Sequence, residues 1–258
     1  MNKMPSAAPR VIPAATVVIF RNCPQGGPPE LLMVQRAKEM RFAGGAAVFP
    51  GGRIDEADRV LAARLAPGVE PETAAARIAG IRETLEETGL AIAVEQRVPA
   101  EAAASARALL LERKELAPVL ERFGWTLNLS RLVPFAHWCP MIDGAFDTRF
   151  FLADLGTGAV DIAVDATENT RLFWASAAEA LRLADRGEIQ VIFPTRRNLD
   201  RLALFATFAE ARAQAETIPV RMITPRPVER GGERWLTIPE GYGYPVTGEP
   251  MSTVRRGL

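Results

Sequence analysis

The sequence predicts an α/β (α+β) sandwich around a mixed sheet, and three observations carry that prediction. Short runs rich in β-branched and aromatic residues recur at 14–20 (AATVVIF), 30–35 (ELLMVQ), 132–138, 148–152 and 172–174. Segments with helical spacing of apolar residues alternate with them, which is the pattern of helices packed on a sheet. Of the 258 residues, 48% are hydrophobic, enough to bury a sizeable core.

Taken in order, the first two runs flank the turn NCPQGGPPE and read as an antiparallel hairpin. The polar segment AKEMRFAGG leads into AAVFPGG, where Pro50, Gly51 and Gly52 break regular structure and let the backbone approach a partner closely. An ordinary turn is the plainer reading of the same residues. Between Gly52 and Pro71 the chain reads as a short helix and a loop. Pro71 then opens a helix, Ile78, Ile81 and Leu85 form its apolar stripe, and Gly89 is placed to end it. Residues 101–123 are rich in Ala, Leu and Glu and read as a helical insertion broken at Pro118, serving as a lid or as packing. Helical patterns follow at 176–186 and 196–216. The expected division is a domain at 10–216 and an irregular or hairpin-like extension at 217–258, with six prolines after Glu216, packed on it.

Charge and composition exclude several functions. With 31 basic and 31 acidic residues the chain has no global field to attract nucleic acid or an anionic membrane, so an anionic ligand needs a local site. Arg221, Arg226, Arg230 and Arg234 could at most form a local basic patch. Pro5, Pro9 and Pro13 interrupt the N-terminal segment, so its apolar run reads as a strand and neither a membrane span nor a signal peptide is expected. Cys23 and Cys139 match no metal pair or disulfide framework, which points to a reducing cytoplasm. The lone histidine, His137, excludes a multi-histidine metal cluster and reads as structural.

The chemistry lies in RETLEETGL, residues 82–90. Glu83, Glu86 and Glu87 are three and four apart, so on a helix their carboxylates share a face and repel one another. Such a face needs cations: arginines, or a hard divalent ion, since an oxygen-only cluster suits Mg²⁺ or Mn²⁺.

Read together, VFPGGRIDE and RETLEETGL resemble the box of the Nudix hydrolases, G-x5-E-x7-R-E-U-x-E-E-x-G-U with U a bulky aliphatic residue. Arg82, Glu83, Glu86, Glu87, Gly89 and Leu90 match, and Thr84 stands at the first U. The opening glycine corresponds to Gly52, but 29 residues separate it from Arg82 where the box allows 13. The early glutamate therefore has no fixed counterpart: counting forward reaches Asp58, counting back reaches Ala74, and Glu72 or Asp55 could substitute. Such an enlarged box is similar to that of a subgroup containing coenzyme A diphosphatases. That subgroup also carries L-L-x-x-R-[SA]-x3-R-x3-G-x3-F-P-G-G, on which Arg36, Ala37, Arg41, Gly45 and Phe49, Pro50, Gly51 and Gly52 fall, with Leu32 and Met33 at the leading pair.

The resemblance implies a Nudix α/β/α sandwich and hydrolysis of a nucleoside diphosphate linked to another group, dependent on Mg²⁺ or Mn²⁺. By position in the box, Glu83, Glu86, Glu87 and the Gly52 carbonyl become metal ligands, Glu83 doubling as a candidate base. Glu168 is the candidate late-loop ligand. Arg82 would orient a glutamate through a salt bridge, and Arg36, Arg41, Gly45, Gly51 and Gly52 would meet the substrate. Coenzyme A or acyl-CoA is the leading substrate; ADP-ribose, a dinucleotide or a nucleoside triphosphate is the alternative, and a silent nucleotide-binding regulator is the alternative of another class. Trp138, Phe146, Phe150 and Phe151 could stack an adenine but read more readily as core. Members of the family often dimerise, so the resemblance leaves a homodimer open beside a small-molecule nucleotide diphosphate derivative as partner, and the sequence does not choose the oligomeric state.

Overall fold

The computed structural model describes residues 9–38, 43–155 and 169–254. In chain order the elements are β1 (Ile12–Arg21), β2 (Glu30–Arg36), β3 (Ala47–Val48), β4 (Gly51–Arg53), α1 (Glu56–Leu65), α2 (Pro71–Thr88), α3 (Ala100–Arg113) and α4 (Leu116–Phe123). They continue with β5 (Val133–Trp138), β6 (Phe146–Asp154), β7 (Asn169–Ser176), α5 (Ala177–Asp185), α6 (Phe193–Leu202), α7 (Phe208–Thr217), β8 (Met222–Ile223), β9 (Arg226–Arg230), β10 (Glu233–Thr237) and β11 (Gly248–Pro250). Among the described residues eight strands form one mixed sheet and β9, β10 and β11 a small antiparallel one.

β1 is central. It lies parallel to β6 along its length, from Ile12 opposite Phe146 to Phe20 opposite Asp154, while β5 pairs antiparallel with β6 and parallel with β8. The hairpin of β1 and β2 pairs only at its closed end, Phe20 with Leu31 and Arg21 with Glu30. Beyond it the strands part, and the segment from β3 to β4 fills the gap: β3 pairs with β2, and β4 pairs with β1 at Ala14, Ala15 and Thr16. Val17 donates its N–H to the Pro50 carbonyl at 2.9 Å, fixing the turn between them. The glycines of AAVFPGG thus stand in the opening of the sheet.

Side chains alternate across the sheet, so each strand supplies two cores. Ala15, Val17 and Ile19 of β1 pack under α1, α2, α3 and α4, whereas Val18 and Phe20 pack under α5, α6 and α7. Phe150, Phe151 and Trp138 are buried in these cores, as their β-strand pattern predicts. α2 crosses β1 at Gly80, where a Cβ would come within 2.8 Å of Val17 Cγ2, so this helix can approach the sheet closely.

Two helical expectations need correction. The pattern at 196–216 is two helices, α6 and α7, because Thr207 caps a new helix by accepting from the Glu210 N–H at 3.1 Å. The insertion breaks at Lys114 and Glu115 instead of Pro118; the proline sits in the first turn of α4, where its missing N–H has no helical partner to lose.

The C-terminal segment joins the second core through polar contacts. Tyr244 is buried, accepts from Trp138 Nε1 at 3.1 Å and donates to Asn198 Oδ1 at 2.7 Å. Arg201, buried beneath it, lies 4.0 Å over the Phe135 ring and donates to the Phe135 carbonyl and to Gln214. Tyr244→Phe strands the buried indole N–H, and we expect it to cost about 2 kcal/mol in urea unfolding. His137 is partly buried and pairs with Asp147, which fits its structural reading. Among the described residues no helix is long and apolar enough to cross a membrane.

Candidate active site

α2 is held at both ends by its own sequence. Glu70 caps its start by accepting from the backbone N–H groups of Glu72 and Thr73, Pro71 occupies the first turn, and Gly89 ends it in the left-handed conformation, φ 75°. Ile78, Ile81 and Leu85 are buried, which turns the glutamates of its last turns to the sheet opening and the insertion. Thr84, where the box has an aliphatic residue, is fully buried among them, a near-isostere of valine whose hydroxyl has no partner among the described residues.

Arg82 organises the acids. Its guanidinium is buried and forms two parallel bonds to Asp58, 3.0 Å from Nε to Oδ1 and 2.9 Å from Nη2 to Oδ2. It also donates to the Arg53 carbonyl at 2.9 Å and to Glu83 at 2.9 Å. Burial opposes its charge, but the Asp58 carboxylate holds its pKa above the ordinary arginine value. Of the four positions that the enlarged box leaves open, Asp58 is the one whose carboxylate pairs bidentately with Arg82. Ala74 is core, Glu72 is paired with Arg59, and Asp55 is exposed at 3.4 Å from Arg82. The longer span between Gly52 and Arg82 contains α1, whose first turn carries Asp58 and whose capping box uses the same carboxylate.

Glu83 and Glu87 face β4. A Cβ on Gly52 would fall 2.4 Å from the Glu83 carboxylate, so a glycine is required there for the acid to lie against the strand. Glu87 is buried; it accepts from the Gly51 N–H at 2.9 Å and from Asn169 Nδ2 at 3.3 Å. Burial pushes the Glu83 carboxyl up to about 7 and the Glu87 carboxyl up to about 8, repulsion within the cluster adding to both. Glu86 turns toward the insertion, with Lys114 Nζ at 3.0 Å and Arg82 at 3.7 Å.

Arg36 ends β2 opposite Asn169, and its buried Nε has no hydrogen-bond partner among the described residues; its charge opposes the upward shift at Glu87. Gly45 adopts φ 75° in the turn that returns to β3. Arg41 and Glu168 lie outside the described residues.

Among the described residues no three His, Cys, Asp or Glu side chains already converge as a metal cage. The donor chemistry nevertheless fits a hard divalent ion: the acids are oxygen-only and crowded, Glu83 and Glu87 are raised in pKa, and Asn169 Oδ1 is buried beside Glu87 without a partner among the described residues. Asn169, Asp58, Lys114 and Arg107, which donates to the Glu86 carbonyl at 2.8 Å, were not assigned to the site from sequence. Only Asp58 left a signal there, through its count from Gly52.

No protein-family model matches the chain. The acyl-coenzyme A diphosphatase NUDT19 of Gallus gallus is 26% identical over 81% of this chain and 68% of that protein. The solved NUDIX hydrolase from Alicyclobacillus acidocaldarius is 28% identical and superposes with a TM-score of 0.69, covering 80% of this chain and 97% of the other. With the Arg82 and glutamate pattern standing at the end of a helix packed on a mixed sheet, the chain is similar over most of its length to Nudix hydrolases, enzymes acting on pyrophosphate bonds.

Proposed function

We propose that the enzyme hydrolyses coenzyme A or an acyl-CoA at its diphosphate. Water adds to one phosphorus of the diphosphate and the bridging P–O bond breaks, so that one of its two phosphates stays on each product: 3′,5′-ADP, which also keeps its 3′-phosphate, and (acyl)phosphopantetheine. The observation that carries this reading is the run from Arg36 to Gly52 in front of the glutamates, with the Arg36 guanidinium incompletely satisfied by protein and close enough to Glu87 to affect its charge. The Gallus gallus relative, whose name states acyl-coenzyme A diphosphatase activity, supports the same substrate.

Glu83, Glu86, Glu87 and the Gly52 carbonyl would hold Mg²⁺ or Mn²⁺, with Glu168 as the late-loop candidate. When bound, the ion neutralises phosphate oxygens and acidifies a coordinated water. Arg82 keeps Glu83 in place, and Glu83 is either a ligand or the acceptor of the water's proton. Arg36 and Arg41 would grip phosphates by charge-assisted hydrogen bonds. A cytoplasmic setting accords with the free thiols of Cys23 and Cys139.

The test is turnover of coenzyme A, acetyl-CoA, ADP-ribose, NADH and dinucleoside polyphosphates with Mg²⁺ or Mn²⁺. Release of 3′,5′-ADP from the CoA compounds in preference to cleavage of the others is the expected result. Turnover of the other diphosphates alone would remove coenzyme A and keep the reaction, while nucleotide binding without turnover would favour a silent regulator.

A further inference from the structure

Lys114 is a conspicuous residue for its position. It closes α3 in the left-handed conformation, φ 59°, where α2 and α4 close with Gly89 and Gly124. A β-carbon is disfavoured there, and the side chain is 65% exposed, so burial does not explain the lysine. Its ammonium rests on Glu86 Oε1 at 3.0 Å, but an ion pair this exposed contributes little to stability. A strained backbone that presents a charged group to a reactive site points to function.

The insertion is built to present it. Ala106 and Leu110 of α3 are buried in the core shared with α2. Arg107 donates from Nε to the Glu86 carbonyl, one of the carbonyls left without a helical partner at the end of α2. Lys114 lies two helical turns beyond Arg107 and so on the same face of α3. One cation of that face anchors the insertion, and the other reaches the Glu86 carboxylate.

We propose that Lys114 is a substrate-binding residue supplied by the insertion, exchanging between the Glu86 carboxylate and a phosphate of the nucleoside diphosphate. This rests on the reading of Glu86 as a metal ligand. An ammonium on a flexible four-carbon stem is suited to the exchange, because a short swing carries it from one anionic oxygen to another. The same placement makes Lys114 a competitor of a divalent ion for Glu86 Oε1, so removing the amine has opposite effects on the two ligands.

The test uses the full chain with Lys114→Gly, Lys114→Arg and Glu86→Gln. Mn²⁺ binding is read by electron paramagnetic resonance without substrate, and KM and kcat are measured on whichever panel diphosphate is turned over. For Lys114→Gly we expect an unchanged or higher melting temperature, Mn²⁺ affinity about threefold tighter, and KM raised about tenfold. Lys114→Arg should restore most of the KM. If Glu86→Gln does not weaken Mn²⁺ binding, the metal reading falls and this proposal with it. If Glu86→Gln does weaken it but Lys114→Gly alters neither affinity nor KM, the lysine is a surface ion pair and the proposal alone is overturned.

Discussion

Glu87→Gln should lower kcat for diphosphate hydrolysis by about a thousandfold, equivalent to about 4 kcal/mol of lost transition-state stabilisation, while leaving the fold intact. Both halves follow from the surroundings of Glu87. The Gly51 N–H can bond the glutamine carbonyl as it bonds the carboxylate. The new amide N–H₂ can donate to Asn169 after the asparagine amide turns over, since its Oδ1 has no partner among the described residues. A neutral amide is also cheaper to bury than a carboxylate whose pKa burial has raised to about 8. Stability in urea should therefore be equal or greater. The charge, however, is gone, and with it one of the three carboxylates proposed to hold a divalent ion. Steady-state kinetics at saturating Mg²⁺ beside a urea melt give the answer. A stable variant within tenfold of the parent kcat would remove Glu87 from the metal-binding role.

What was legible in the sequence depended on whether the information was local. α2 could be read because Pro71, the spacing of Ile78, Ile81 and Leu85, and Gly89 lie within it. The central hairpin could be read because eight residues rich in proline and glycine separate its two apolar strands. β3 and β4 could not, since two and three residues are too few to show a period, yet they place Gly51 and Gly52 in the opening of the sheet. The start of α7 had a usable signal, Thr207 followed three residues later by Glu210, outweighed by continuous helical composition. Lys114 and Asn169 left none, because their contacts with Glu86 and Glu87 span 28 and 82 residues. Asp58 was one of four candidates until the placement of α1 set it against Arg82.

That contact carries the second large effect. Asp58→Ala should destabilise the protein by about 3–5 kcal/mol, because it leaves a buried guanidinium without its bidentate partner. It also removes the acceptor for the Asp55 N–H at the start of α1. Glu83 and the Arg53 carbonyl remain on Arg82 but leave Nε without its bond to Asp58. A freed Arg82 would settle further onto Glu83 and Glu86, already 2.9 and 3.7 Å away, and draw them from the work proposed for them. Activity should consequently fall under conditions where the variant is still folded. Pairing the change with Arg82→Met separates charge from packing: with both ions gone the buried site loses its uncompensated charge, so the double variant should be more stable than the sum of the two single losses predicts. Urea unfolding of the four proteins measures that difference. A coupling below about 0.5 kcal/mol would mean that water already satisfies Arg82, and the enlarged box would then need no early acid to hold its arginine.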